Sequence, residues 1–200
     1  MKTLIVTAHP DDCEISIGAS MTKFENLAVY IASDSTTIGG NSKIIQETKT
    51  SICGIYNAHL TLGKFETMHI WTKFQELRDI LFEIKQNMKP DVVYCTSPKS
   101  IHPDHKAVGE ACKSIFLEQT VYSFEPIRSN QDFTPNRYVQ ITKEDLQTKL
   151  KACSCYSSQS EKHYFDAESI IATARFYGTQ IGVEYAEAFE VIREIGKTYT

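Results

Sequence analysis

Five short apolar runs, at residues 2–8, 28–32, 59–62, 92–96 and 121–124, alternate with stretches that carry helical signals over the first 125 residues. This alternation constrains the fold more than any other feature. Such runs, rich in β-branched and aromatic residues, read as strands buried on both faces. Strand, helix and strand in succession imply parallel pairing through right-handed crossovers. Helices are expected at residues 14–26, 43–53, 71–88 and 104–116. The third has the clearest pattern: Phe74, Leu77, Ile80, Leu81 and Ile84 recur at three- and four-residue spacing, and Pro90 stops it. Asp11 or Asp12 is expected to cap the first helix, and Gly54 to close the second in a left-handed conformation.

After residue 125 the pattern is weaker. Residues 137–141 read as a strand, Thr142 as the cap of a helix running to about Cys155, with Asp145 three residues on, and residues 166–177 as a further helix. Residues 185–192 alternate poorly, and no element is assigned to them. A chain of 200 residues fits one domain, with residues 1–125 as its core and 126–200 as an extension packed on it. The net charge of -4 argues against nucleic acid as a partner. No apolar stretch approaches membrane-spanning length, and neither a signal peptide nor a lipidation motif is expected. The six cysteines form no C-x-x-C pair, so buried, reduced thiols in a cytoplasmic protein are expected, with Cys13 in a packing role.

Two histidine turns carry the chemistry. His9-Pro10-Asp11-Asp12 follows the first strand, and His102-Pro103-Asp104-His105 follows the fourth. Neutral imidazole and carboxylate are the ligands of a catalytic zinc that keeps one position open for water. In a doubly wound sheet of order 3-2-1-4-5, strands 1 and 4 are neighbours, and the crevice at their carboxyl ends would bring the two turns together. His9, Asp12 and His105 can then supply a His-Asp-His ligand set. Asp11, beside a ligand but not needed as one, is the candidate base. His102, as imidazolium, is the candidate for stabilising an oxyanion, and Asp104 for orienting His102 and favouring its charge. Each aspartate also has a plain explanation as a helix cap, and each proline as a first-turn residue. Two copies of the same turn between strand and helix are hard to attribute to capping alone. His59, His69 and His163 lack that context and read as structural.

The chain resembles the LmbE-like, or PIG-L, family of zinc-dependent N-acetylglucosaminyl deacetylases. The resemblance rests on Ala8-His9-Pro10-Asp11-Asp12-Cys13-Glu14 with Gly18, and on the run from His102 to Gly109. Residues 89–93, 156–159 and 185–189 add lesser matches. It implies a Rossmann-like, three-layer α/β/α fold with a mainly parallel sheet of order 3-2-1-4-5, C-terminal additions, and one zinc per chain. It places the metal ligands on His9, Asp12 and His105, the base on Asp11, the oxyanion-stabilising histidine on His102 and its orienting aspartate on Asp104. Two positions depart from the pattern: many members carry an arginine where this chain has Ile44, three residues before Glu47, and some carry a tyrosine where it has Ser100. The expected activity is removal of an N-acetyl group from an amino sugar or its glycoconjugate. The alternatives are hydrolysis of a non-sugar amide and a catalytically silent binding protein of the same fold. A dinucleotide-binding role is disfavoured, because the first turn lacks G-x-G-x-x-G and its aspartates would repel a pyrophosphate. The loops at residues 34–42, 62–71 and 126–135 are expected to line the cleft.

Overall fold

A computed structural model of the chain describes residues 1–35 and 42–196. The loop expected at residues 34–42 therefore lies largely outside the described residues. Seven strands form one sheet in the order β3-β2-β1-β4-β5-β7-β6. The parallel part comprises β1 (Lys2–Thr7), β2 (Asn26–Ile31), β3 (His59–Leu62), β4 (Val92–Thr96) and β5 (Thr120–Phe124), in the expected 3-2-1-4-5 order. β7 (Ala186–Arg193) runs antiparallel to β5, and β6 (Arg137–Gln140) antiparallel to β7.

Successive strand residues point to opposite faces, and each face has its own helical cover. Leu4, Val6, Val93 and Cys95 pack with Leu77 and Leu81 of α3 (Phe74–Met88) and with Ala107, Val108 and Ala111 of α4 (Pro103–Ile115). Ile5, Val29, Ile31, Tyr94 and Tyr122 pack with Cys13, Ile17 and Met21 of α1 (Asp12–Met21) on the other face. Outside α1, a third cluster joins it to α2 (Lys43–Lys49), α5 (Lys143–Ser154) and α6 (Ala167–Ile181). The Thr142–Asp145 capping box starts α5 as expected.

Four local expectations change. Gly54 does not end the second helix: α2 passes into a π-helical turn over Thr50–Ile55, and the left-handed residue beyond it is Asn57. The first helix ends at Met21 rather than residue 26 and is kinked at Ile17. The amides of Ala19 and Ser20, beyond the kink, donate to the Glu187 carboxylate of β7. Lys149 of α5 completes that junction, 2.7 Å from Glu187 and donating to the Ser16 carbonyl. Residues 186–193, unassigned from sequence, form an interior strand whose residues 186–190 are buried on both faces, so no polar alternation could show. The cysteines are all unpaired, but Cys53 is exposed and Cys155 partly so, unlike the four buried thiols.

Candidate functional site

β1 and β4 are paired, with Val6 beside Cys95, so the turns that follow them meet at the carboxyl edge of the sheet. α4 starts at the second turn and lies tightly against the chain leaving β4. A side chain at Gly109 would collide with the Thr96 carbonyl and the Pro98 nitrogen, so glycine is required there. Thr96 Oγ1 also donates to the His105 carbonyl, which fixes the first turn of the helix to its strand. One ring nitrogen from each of His9, His102 and His105 lies within 4.8 Å of the other two, a group that could hold a metal ion.

Asp12 faces two of these rings. Its Oδ2 is 3.6 Å from His9 Nδ1 and 3.4 Å from His105 Nε2. The same oxygen accepts from Thr7 Oγ1 at 2.9 Å and from the His9 amide at 2.8 Å, which sets its direction. Burial disfavours its charge, yet the charge and hydrogen bond of His105, with those of His9, hold its carboxyl well below the usual range.

The far nitrogen of each ring has its own carboxylate. His9 Nε2 is 2.9 Å from Asp104 Oδ2, and His105 Nδ1 is 2.8 Å from Glu125 Oε1. Asp104 also accepts from the amides of Met68 (2.6 Å) and Ile70 (3.0 Å). Glu125 accepts from Ser100 Oγ (2.6 Å), the Ser97 amide (3.1 Å) and Ser129 Oγ. Burial opposes charge on both rings. Hydrogen bonds to Asp104 and Asp12 nevertheless raise His9 to about 9, and the charge of Asp12 with its hydrogen bond and that of Glu125 raises His105 to about 10.

His102 differs. Its Nδ1 accepts from the Asp104 amide at 3.2 Å, so the proton of the neutral ring sits on Nε2. Burial and the charges of His105 and His9 push it down to about 4. Asp104 meets His102 through its backbone amide and through its charge, which favours the charged ring as expected but is outweighed by burial and the two neighbouring imidazoles, so His102 is neutral rather than an imidazolium. The Asp104 carboxylate hydrogen-bonds His9 and not His102, contrary to the sequence expectation. The reason is placement: Asp104 is fully buried at the start of α4, where the residue 68–70 backbone and His9 surround its carboxylate.

Asp11 occupies the N-cap position of α1, where its carbonyl accepts from the Ile15 amide but its side chain makes no capping hydrogen bond. It holds a left-handed conformation, φ 79°, which costs a non-glycine residue about 1 kcal/mol. Such outliers gather at functional sites. Burial and the charge of Asp12 raise its carboxyl to about 8, with Lys162 Nζ 3.9 Å away acting in the opposite sense.

His9, Asp11, Asp12, His102 and His105 floor a cleft of about 840 Å³. Thr67, Met68, Pro126 and Arg128 contribute from the two described loops expected there, and Ser158, Gln159, Lys162 and Tyr164 from the extension. His59, His69 and His163 lie outside it. Sequence reasoning missed Glu125 and Lys162; the available signal for Glu125 was its position one residue beyond β5, at the active edge of the sheet. Ser100, where some family members carry tyrosine, donates to Glu125 and accepts from the His102 amide. The lesser match at residues 156–159 braces the cleft: Tyr156 donates to buried Glu14, and Ser157 and Ser158 to Glu47. Cys13 donates to Glu14 and points away from any ligand role.

Two separations within the His9–Asp12–His105 set fit a zinc-sized divalent metal, while His9, His102 and His105 form an alternative three-nitrogen group at the same place. Ligand atoms about a four-coordinate zinc stand roughly 3.4 Å apart, given bonds of 2.0–2.2 Å. The two separations from Asp12 Oδ2 match that spacing. A carboxylate behind each ligating imidazole is the usual support of a metal-bound histidine.

The model of the family GlcNAc-PI de-N-acetylase (PIG-L) matches residues 4–116, and the chain belongs to this family. Among curated relatives, diacetylchitobiose deacetylase of Thermococcus kodakarensis is 25% identical, over 96% of this chain and 83% of its own. The uncharacterized deacetylase YaiS of Escherichia coli is 28% identical, over 78% of this chain and 90% of its own. The solved N,N'-diacetylchitobiose deacetylase of Pyrococcus horikoshii shares the fold, with a TM-score of 0.78 at 21% identity, covering 95% of this chain and 83% of that one.

Proposed function

We propose that this protein is a zinc-dependent deacetylase that removes the N-acetyl group of an amino sugar or its glycoconjugate, with one metal held by His9 Nδ1, Asp12 and His105 Nε2. The observation that carries this reading is the pair of carboxylate-backed imidazoles facing one Asp12 oxygen at 3.6 and 3.4 Å. His102 is a less suitable ligand, since no carboxylate stands behind its ring and its Nδ1 is taken by the Asp104 amide. Family membership and the named activity of the Thermococcus relative support acetyl removal from an amino sugar.

A zinc bound here would supply Lewis acidity, polarising the amide carbonyl and lowering the pKa of water. The chain's own groups account for the proton movements. Asp11 accepts a proton from the attacking water as the new C–O bond forms. Its burial keeps it basic enough for that task once a neighbouring cation favours its ionised form. His102 donates its Nε2 proton as a hydrogen bond to the developing oxyanion, a role a neutral ring can fill. Asp11 then returns its proton to the departing nitrogen as the C–N bond breaks, giving acetate and the free amine. Asp104 and Glu125 hold the two ligand rings in one tautomer and orientation.

Acetate release from N-acetylglucosamine and its conjugates tests the reading directly. Release that stops with chelator and returns with zinc supports it. Zinc retention with release only from non-sugar amides would move the substrate, and absence of both would overturn the proposal.

A further inference from the structure

α1 is bent at Ile17, whose φ of -127° and ψ of 15° leave the helical region. In an unbroken helix the Ser20 amide would donate to the Ser16 carbonyl, four residues back. Here both ends of that bond have partners from distant parts of the chain. The Ser16 carbonyl accepts from Lys149 Nζ at 3.0 Å, and the Ser20 amide donates to Glu187 Oε2 at 2.7 Å. The Ala19 amide donates to Glu187 Oε1 at 3.0 Å, and Lys149 Nζ closes the set at 2.7 Å from that same oxygen. An ion pair from α5 and β7 is thus wedged into the hydrogen-bond ladder of α1, and side-chain insertion of this kind is one of the few causes of a sharp helix bend.

The pair is sealed from solvent: Lys149 is 3% and Glu187 2% exposed. A buried ion pair is often no more stabilising than packed apolar side chains of similar volume. Stability alone therefore gives no reason for two charges here. Gly18 makes room for them, since a Cβ there would stand 3.0 Å from Lys149 Cγ and 2.7 Å from the Tyr56 hydroxyl. Neither Gly18 nor Glu187 has a part in the proposed chemistry.

The bend matters because of what precedes it. The first turn of α1 carries Asp12, and Asp11 stands at its N-cap. The Asp12 carboxylate has anchors of its own in Thr7 and the His9 amide. Asp11 has no side-chain capping bond, and its carbonyl is joined to the turn by the Ile15 amide. The aim of its carboxylate therefore follows the direction of this turn. Glu14 pins the turn through Ser51 and Tyr156, and the ion pair pins its end at Ser16.

Building on the deacetylase reading, we propose that Lys149 and Glu187 are positioning residues: their ion pair holds the bend in α1 and so keeps Asp11 aimed into the cleft. Neither touches the reacting atoms; both act through the backbone of α1.

The test is the double variant K149M/E187M. It removes both charges together, so no buried charge is left unpaired, and it frees the amides of Ala19 and Ser20 to return to the carbonyls of Ile15 and Ser16. Stability to urea is expected to stay close to native. Its crystal structure should show α1 straightened and Asp11 displaced. For acetate release from N-acetylglucosamine and its conjugates, kcat should fall about 10- to 100-fold, with KM and zinc content near native. A merely structural pair would make turnover follow stability instead. If K149M/E187M does not fold, G18A carries the test: its methyl crowds the Lys149 stem while adding helix propensity, so a lowered kcat at native stability is the expected result. A stable variant with native kcat, or one whose bend and Asp11 position are unchanged, would overturn the positioning role and leave the deacetylase reading standing. If the native protein releases no acetate from any probe, the deacetylase reading fails and the crystal structures still decide: a displaced Asp11 supports the positioning role, and an unmoved one removes it.

Discussion

Glu125 Oε1 lies 2.8 Å from His105 Nδ1, on the side of the ring opposite Asp12. That contact ties the end of β5 to the proposed ligand set of the β1–β4 crevice. Replacing Glu125 by alanine should weaken metal affinity about 10- to 100-fold. The glutamine variant, which can still accept a hydrogen bond, should lose less. Titration against a chromophoric chelator measures both, and unchanged affinity in E125A would remove Glu125 from the support of the site.

Asp104 gathers one imidazole and two backbone amides. D104A leaves the Ile70 amide and the His9 ring without an acceptor, and should lower stability by about 1–3 kcal/mol. D104N retains an oxygen for only one of the two amides, which reach different carboxylate oxygens, so it should lose less stability than D104A and lose metal affinity as well. Urea unfolding and metal titration separate the two effects. A D104N protein with native affinity would contradict the pairing of Asp104 with His9.

Metal binding should be strongly pH-dependent. Without metal, His9 titrates near about 9 and His105 near about 10, so both carry protons at neutral pH, while Asp12 stays ionised. A metal must displace those protons, about two per ion. Apparent affinity should therefore rise with pH through neutrality and level off near pH 10. The sign reverses for stability of the metal-free protein: the folded-state values lie above the ordinary value of 6.5, so the charged rings stabilise fully below it and the contribution fades as pH rises through 9 to 10. Calorimetry in buffers of different ionisation enthalpy counts the protons; none released would contradict these charge states.

Asp11 and His102 should be separable from the ligands. D11N should lower turnover about 10²- to 10⁴-fold, and H102A about 10²- to 10³-fold, each with near-native metal content. Loss of metal together with turnover in either variant would make that residue a ligand.

The parallel half of the sheet was legible because each strand is short, apolar and bounded by a helix signal, and the paired turns stood out because they repeat. The rest was hidden for identifiable reasons. β7 is covered on both faces, and its Glu187 and Glu190 are buried only because lysines and backbone amides from distant segments meet them. Such residues break the pattern that reveals a strand. Glu125 is a lone carboxylate, 20 residues from His105 in the chain and outside either motif. Asp104 sits two residues from His102, which suggested that ring as the hydrogen-bond partner of its carboxylate. Its carboxylate instead crosses to His9, 95 residues away, as only the packing of the two loops can show.

Metal content and acetate release, measured together on one preparation as purified, after chelation and after zinc is returned, test the central claim most directly. The proposed zinc deacetylase activity predicts about one zinc per chain, acetate from at least one N-acetylated amino sugar, loss of release with the metal and recovery with zinc. Undiminished release from fully chelated protein, or a chain that takes up no divalent metal at all, would contradict it.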